Sequence, residues 1–195
     1  MIPADRFIVE YRWYDEWLEA RTHGVTATAV ARAATPSGFA SEVASWSEPP
    51  FLGNEYTDFG TWAERYLLEH AHRTEGILPS DWLIRGDVAW HMGTPDGLSL
   101  DHQTIAEAKT GGTLPASVKR EHRDQCQWNM HVTGATRCLY LFQTRVAGPN
   151  GYYLGLIEPW TRWVERDDER IEYLIGVAER LREAKEAHRG ELQLG

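Results

Sequence analysis

Pro95-Asp96-Gly97 and, a few residues on, Thr104-Ile105-Ala106-Glu107-Ala108-Lys109-Thr110 form the stretch on which the reading of this chain turns. The first piece is a turn carrying an acid, and the second alternates like a strand. Successive strand side chains point to opposite faces, so Glu107 and Lys109 share one face while Thr104, Ala106 and Ala108 take the other. An acid at a turn beside an acid and an amine at a strand end suits a hard divalent cation, which prefers oxygen ligands and keeps several waters. The amine would then orient or deprotonate one of those waters. Turn acids and Glu-x-Lys strands also occur without chemistry, so the flanks must be read with them.

Downstream, residues 110–114 read as a loop and Pro115 suits the first turn of a helix that ends before Gly134. Its core stripe is Val118, His122, Gln125, Asn129 and Val132, with Trp128 adjacent. Gln125 is thus an amide aimed inward, and it needs a partner, either in a site or in a purely structural hydrogen bond. Arg120, Arg123, Gln127 and His131 fall on another stripe, expected to be a solvated charged face. Residues 137–146 and 152–158 read as paired strands joined by Gly148-Pro149-Asn150-Gly151. Asp167 or Asp168 then caps a last helix to about residue 188, with Ile171, Leu174, Ile175, Ala178 and Leu181 as its apolar stripe.

Upstream, Thr57 or Asp58 is expected to cap a helix reaching Thr74, with Glu64 aligned with Leu67, Leu68 and Ala71. A carboxylate on an apolar stripe must be paired, bind a metal, or sit at the rim and reach water. Residues 82–85 and 88–92 read as short strands around an Arg85-Gly86-Asp87 turn, and Asp101-His102 as a hairpin tip. Residues 10–21 read as a helix with Tyr14, Trp17 and Leu18 on one stripe, and Thr26 as the N-cap of a second helix through residue 34. Arg21 and Thr28 flank that helix start, where an anion is favoured. By spacing alone they read as a surface arginine and a first-turn threonine. Residues 35–54 show no period and are expected to be a long loop carrying Trp46 and Phe51.

Composition sets bounds. The chain has 195 residues, of which 42% are hydrophobic and nine are Trp, enough for one packed domain spanning residues 1–195. Its parts would be helices in 10–34, the 35–54 loop, a core over 55–158 and a helix over 167–189. No apolar run nears the roughly 20 residues of a membrane span. Residues 1–10 lack the pattern of a signal peptide, and two cysteines, Cys126 and Cys138, fit a reducing, cytoplasmic compartment. A net charge of −9 weighs against a polyanion ligand unless cations are placed locally. The acids are concentrated in the last helix, and an acidic metal site would be neutralised by its ion. The cations are nearly all Arg, which suits phosphate recognition but equally follows coding bias; only Lys109, Lys119 and Lys185 are lysines.

Taken in order, Gly93-Thr94-Pro95-Asp96-Gly97-Leu98, Glu107-Ala108-Lys109-Thr110 and Gln125-Cys126-Gln127-Trp128-Asn129-Met130 resemble motifs of the phage-type exonucleases of the YqaJ and lambda exonuclease group, within the PD-(D/E)xK nuclease superfamily. Glu16-Trp17-Leu18-Glu19-Ala20-Arg21 leading into Gly24-Val25-Thr26-Ala27-Thr28 is similar to that group's N-terminal signature, and Gly60-Thr61-Trp62-Ala63-Glu64 to its first acidic motif. Each block is short; their order, from about Tyr14 to the last helix, makes the match specific. The resemblance implies an α/β fold with a restriction-endonuclease-like PD-(D/E)xK core, a small mixed sheet flanked by helices. It implies Mg²⁺ or Mn²⁺, two ions per site, held by Asp96, Glu107, the Ala108 carbonyl and Glu64. Lys109 would act on the attacking water, and Gln125 would contact the active centre. Arg21 and Thr28, the latter where the related motif has Ser, would bind a 5′-terminal phosphate. The expected activity is 5′→3′ digestion of linear double-stranded DNA, leaving a 3′ strand for a phage single-strand annealing protein, by a homotrimeric ring. The 35–54 loop would flank the DNA path or a neighbouring subunit. The rivals are a related endonuclease and a non-catalytic DNA- or protein-binding module on the same fold.

Overall fold

The 104–110 strand is the centre of a sheet in the computed structural model, which describes residues 1–48 and 53–194, and side chains as far as His188. In chain order, a 3₁₀ turn at Ala4–Arg6 leads to β1 (Phe7–Glu10), α1 (Tyr14–Thr22), β2 (Val25–Thr26), α2 (Ala27–Ala33) and α3 (Pro36–Ser45). Then follow α4 (Glu55–Glu75), β3 (Leu78–Pro79), β4 (Trp82–Arg85), β5 (His91–Gly93), β6 (Gly97–Leu98) and β7 (Thr104–Gly111). The remainder is α5 (Arg120–Thr133), β8 (Arg137–Gly148), β9 (Gly151–Leu154), β10 (Trp160–Glu165) and α6 (Asp168–Leu194).

One sheet runs β10-β8-β7-β6-β3, with β9 paired to β8; a smaller one runs β1-β4-β5-β2. β6 and β7 form an antiparallel hairpin, whereas β7 and β8 are parallel, with Glu107 opposite Tyr140 and Lys109 opposite Phe142. A parallel pair needs a crossover, and α5 supplies it. The alternation along β7 sorts its two faces. Ala106 and Ala108 pack with Leu139 and Leu141 against Leu67, Leu68 and Ala71 of α4. Ile105 and Cys138 join the core under α5, built on Cys126, Trp128, Met130 and Val132. Glu107 and Lys109 therefore emerge on the α5 side, and α4 closes the opposite side.

Helix ends follow local chemistry. α4 starts at a capping box, in which the Asn54 side chain accepts from Tyr56 N and Thr57 N while Thr57 Oγ1 accepts from Asn54 N. The cap is thus Asn54, upstream of the expected Thr57 or Asp58, and Thr57 serves instead as the third residue of the capping box. α5 stops at Gly134, whose φ of +79° is open to glycine at no steric cost.

Several expectations are corrected. The 10–21 helix begins only at Tyr14, since residues 7–10 pair antiparallel with β4. Residues 35–54 are not all loop: Thr35 Oγ1 accepts from Gly38 N and Pro36 opens α3, a helix start with both signals in the sequence. Phe51 of that expectation lies outside the described residues. Pro115 precedes α5, which begins at Arg120. The 88–92 strand is instead a turn followed by His91–Gly93, and the 152–158 strand is the shorter Gly151–Leu154. β10 was not anticipated; its Trp160 to Glu165 pair antiparallel with β8. Gln127 is buried rather than solvated, its Nε2 donating to Glu165 O and its Oε1 accepting from Asp167 N.

The last helix is tied down by charge as well as by Leu174, Ala178 and Leu181. Arg170 donates twice to the buried Asp124, through Nε to Oδ1 and Nη2 to Oδ2, both at 2.8 Å, and Arg120 donates to Oδ2 at 2.8 Å. Breaking a buried, bidentate pair from one side leaves the other charge uncompensated. Asp124→Ala is expected to destabilise the fold by about 3 kcal/mol, a melting shift of roughly 10 °C. Thermal denaturation checks this; an unchanged midpoint would show that α6 is held by apolar contacts alone.

Candidate active site

A cavity of about 330 Å³ opens between α1, α2, α4 and the β7 edge. Glu64, Asp96, Glu107, Lys109 and Gln125 all line it, as do Arg21 and Thr28. The structure thus gathers the sequence-predicted side chains in one place; Ala108 points to the opposite β7 face and is not among the lining residues, and its backbone N donates to Asp96 Oδ2.

Asp96 is fixed by its backbone on both sides. Its N donates to Ala106 O at 3.1 Å, and its O accepts from Ser80 N at 2.8 Å. Its Oδ2 accepts from Ala108 N at 2.7 Å. Burial pushes its carboxyl well above the usual carboxylate range, and nearby Glu107 pushes it further, against the pull of Lys109. Burial likewise raises Glu64; Lys109 opposes, and Glu107 and Asp81 add to the rise. Glu107 is 4% exposed and both of its oxygens are engaged: Oε1 accepts from Lys109 Nζ, and Oε2 accepts from Asn129 Nδ2 at 3.2 Å. Burial would lower the Lys109 pKa, but Glu107 and Asp96 outweigh it and hold the ammonium protonated.

Among the described residues no three His, Cys, Asp or Glu side chains stand as a ready metal cluster. The donor chemistry fits a divalent cation nonetheless: the carboxylates of Glu64, Asp81, Asp96 and Glu107 line a cavity with one ammonium, and burial beside Glu107 makes Asp96 and Glu64 resist ionising. A cation there would compete with Lys109 for Glu107 Oε1.

On the other wall, the Arg21 guanidinium lies over the Trp17 ring, 4.2 Å from its centroid. Burial lowers its pKa, and no carboxylate pairs with it among the described residues. Thr26 occupies the N-cap position of α2, yet its side chain makes no capping bond and lines the cavity beside Thr28. This arrangement is a mostly buried cation, stacked but without a counterion, facing two hydroxyls.

Sequence reasoning placed Gln125 against the centre. It lines the cavity, but the amide that reaches Glu107 is Asn129, one turn further along α5. The only signal for Asn129 was its position on the inward stripe, which does not separate core from site. Asp87, read as a turn residue, lies exposed and pairs with Arg6 at 2.8 Å, away from the cavity.

The architecture is a mixed α/β fold shared with solved exonucleases. The alkaline exonuclease LHK-Exo from Laribacter hongkongensis is 21% identical, with a TM-score of 0.64 over 93% of this chain and 100% of that one. The same enzyme in complex with dAMP gives 22% and 0.67 over the same shares. A phage-related exonuclease from Haemophilus somnus 129PT is 13% identical, with a TM-score of 0.70 over 87% of this chain and 96% of that one. At these identities the likeness is one of fold, and it agrees with the class expected from the ordered motifs. No protein-family profile and no curated protein matches the chain in sequence. No described helix is long and apolar enough to cross a membrane.

Proposed function

We propose that this chain is a metal-dependent DNA exonuclease of the YqaJ and lambda exonuclease type. The observation that carries the reading is the convergence of Glu64, Asp96, Glu107 and Lys109 on a cavity whose far wall holds Arg21, which has no carboxylate partner among the described residues. Asp96, Glu107, Glu64 and the Ala108 carbonyl would hold Mg²⁺ or Mn²⁺, as one or two ions. When bound, such ions neutralise charge on the phosphoryl group and acidify a water. Lys109, held protonated by its acidic neighbours, serves as a charged donor that orients the attacking water and stabilises the extra negative charge of the five-coordinate phosphorus. The Gln125 amide completes the wall from which that water is positioned. Arg21, with the Thr28 hydroxyl, receives the 5′-terminal phosphate through charge-assisted hydrogen bonds. Double-stranded DNA is then digested 5′→3′ from a free end.

The family pattern extends the proposal to a homotrimer enclosing DNA, to hand-over of the 3′ strand to a phage single-strand annealing protein, and to action in the cytoplasm of a bacterial host. The 35–54 segment, now seen to contain α3, would border the DNA path or an adjoining subunit.

The test is digestion of matched plasmid substrates with Mg²⁺ or Mn²⁺. Linear duplex is degraded and closed circular duplex is not; cutting of the circle would make the chain an endonuclease instead. A 5′-phosphorylated end is preferred over a 5′-hydroxyl end by about 10-fold, the worth of one charged hydrogen bond. Arg21→Gln erases that preference while leaving slow digestion of the 5′-hydroxyl substrate; indifference of the wild type to the phosphate would remove this pocket from the mechanism.

A further inference from the structure

We infer that Asn129 is a positioning residue for the proposed reaction, holding the Glu107 carboxylate aimed into the cavity; the inference rests on the nuclease reading above. Asn129 is 2% exposed, and its side chain makes one hydrogen bond, from Nδ2 to Glu107 Oε2 at 3.2 Å. Its Oδ1 is buried with no hydrogen-bond partner. A buried orphan acceptor destabilises a fold, so an apolar residue of the same size would serve the core better than this amide. The amide has a use only toward Glu107.

The surroundings set the amide's position. On the preceding residue, Trp128 Nε1 donates to Met92 O at 2.9 Å, pinning α5 to β5. The next residue of β5 is Gly93, where a Cβ would stand 2.5 Å from Asn129 Oδ1. Only a glycine lets the amide lie against the strand with its nitrogen turned to Glu107. Thr133 Oγ1 donates to Asn129 O at 2.7 Å and secures the helix one turn below.

The consequence concerns what happens when Lys109 lets go. Lys109 and Asn129 hold one Glu107 oxygen each. With a divalent cation bound, Lys109 would compete with it for Oε1, and the Asn129 amide would keep the carboxylate oriented through Oε2. Partners that orient a ligating carboxylate typically contribute 10- to 100-fold in metal affinity or activity.

The experiment titrates Mn²⁺ alone into wild type, Asn129→Leu and Gly93→Ala, by calorimetry or thermal shift without DNA, and measures turnover on linear duplex beside it. Asn129→Leu removes the orphan acceptor but also leaves Glu107 Oε2 without its donor, so the two changes offset and the variant melts near the wild-type temperature. Its Mn²⁺ half-saturation nonetheless rises about 10-fold or more, with a matching fall in turnover. Gly93→Ala, which keeps the asparagine but displaces it, behaves the same way. Wild-type Mn²⁺ half-saturation in either folded variant overturns the role of Asn129 and leaves the nuclease reading standing. A wild type that neither binds Mn²⁺ nor cleaves DNA removes the nuclease reading itself.

Discussion

Lys109→Ala lowers turnover on linear duplex DNA by at least about 100-fold, the usual contribution of one positioned proton-bearing group. The expectation follows from where the ammonium stands. Lys109 pairs with Glu107, opposes the raised carboxyls of Asp96 and Glu64, and is held protonated by Glu107 and Asp96. Removing it takes away the ammonium that pairs with Glu107 and stands beside Asp96 and Glu64. Glu107→Ala has an effect of the same order, through lost ligation. Substrate KM should change little in either case, because the proposed reading assigns the 5′ end to Arg21 and Thr28 and not to these two residues. The check is steady-state digestion by both variants beside the wild type. Residual activity equal in all three proteins would mean that this cavity is not where the phosphodiester is cleaved.

The second large effect is the pH dependence of stabilisation by a divalent cation. Asp96 and Glu64 have carboxyls raised above the ordinary range by burial and by Glu107. An acid whose pKa is raised in the folded state binds more protons there than in the unfolded chain. The stability tied to it is therefore present below the ordinary carboxylate pKa of about 4 and lost as pH rises through the raised value. Metal-free protein should thus lose stability from mildly acidic to alkaline pH at this site. Mn²⁺ binds the ionised acids and offsets that loss, so it raises the melting temperature more at pH 8 than at pH 5. At 100 times its dissociation constant the gain is about 2.7 kcal/mol, or roughly 8 °C for a chain of this size. Asp96→Asn and Glu64→Gln should each raise the metal-free midpoint at pH 8 and shrink the Mn²⁺ increment. Differential scanning fluorimetry at the two pH values suffices; equal increments at both would show that these acids do not gate the ion.

How much of this was legible beforehand depends on the range of the interaction. The pairing of Glu107 with Lys109 needed only the two-residue period of a strand, and the end of α5 only the glycine at 134. Glu64 was visible as an acid on an apolar stripe. By contrast, β1 was hidden because Phe7–Glu10 is extended only through its pairing with β4, some 75 residues later. β10 was hidden for the same reason, its partner β8 lying across a turn and a further strand. Gln127 looked solvated because a helical period shows which residues share a face, not what covers that face. Here β10 and the start of α6 cover it.

The amino-acid sequence alone determined the local geometry: which side chains share a strand face, which helix stripes are apolar, where a glycine or a capping residue stops a helix, and in what order the acidic blocks follow. These are properties of a few neighbouring residues and their backbone torsions. Only the tertiary structure decided that the far wall supplies Arg21 with no carboxylate partner among the described residues, that Asn129 rather than Gln125 holds Glu107, and that Lys109 is held protonated by Glu107 and Asp96. Those facts depend on the β7–α5–β8 crossover and on α4 closing the opposite face. They bring together residues far apart in the chain, and they set how much water and charge each group loses, which no local period records.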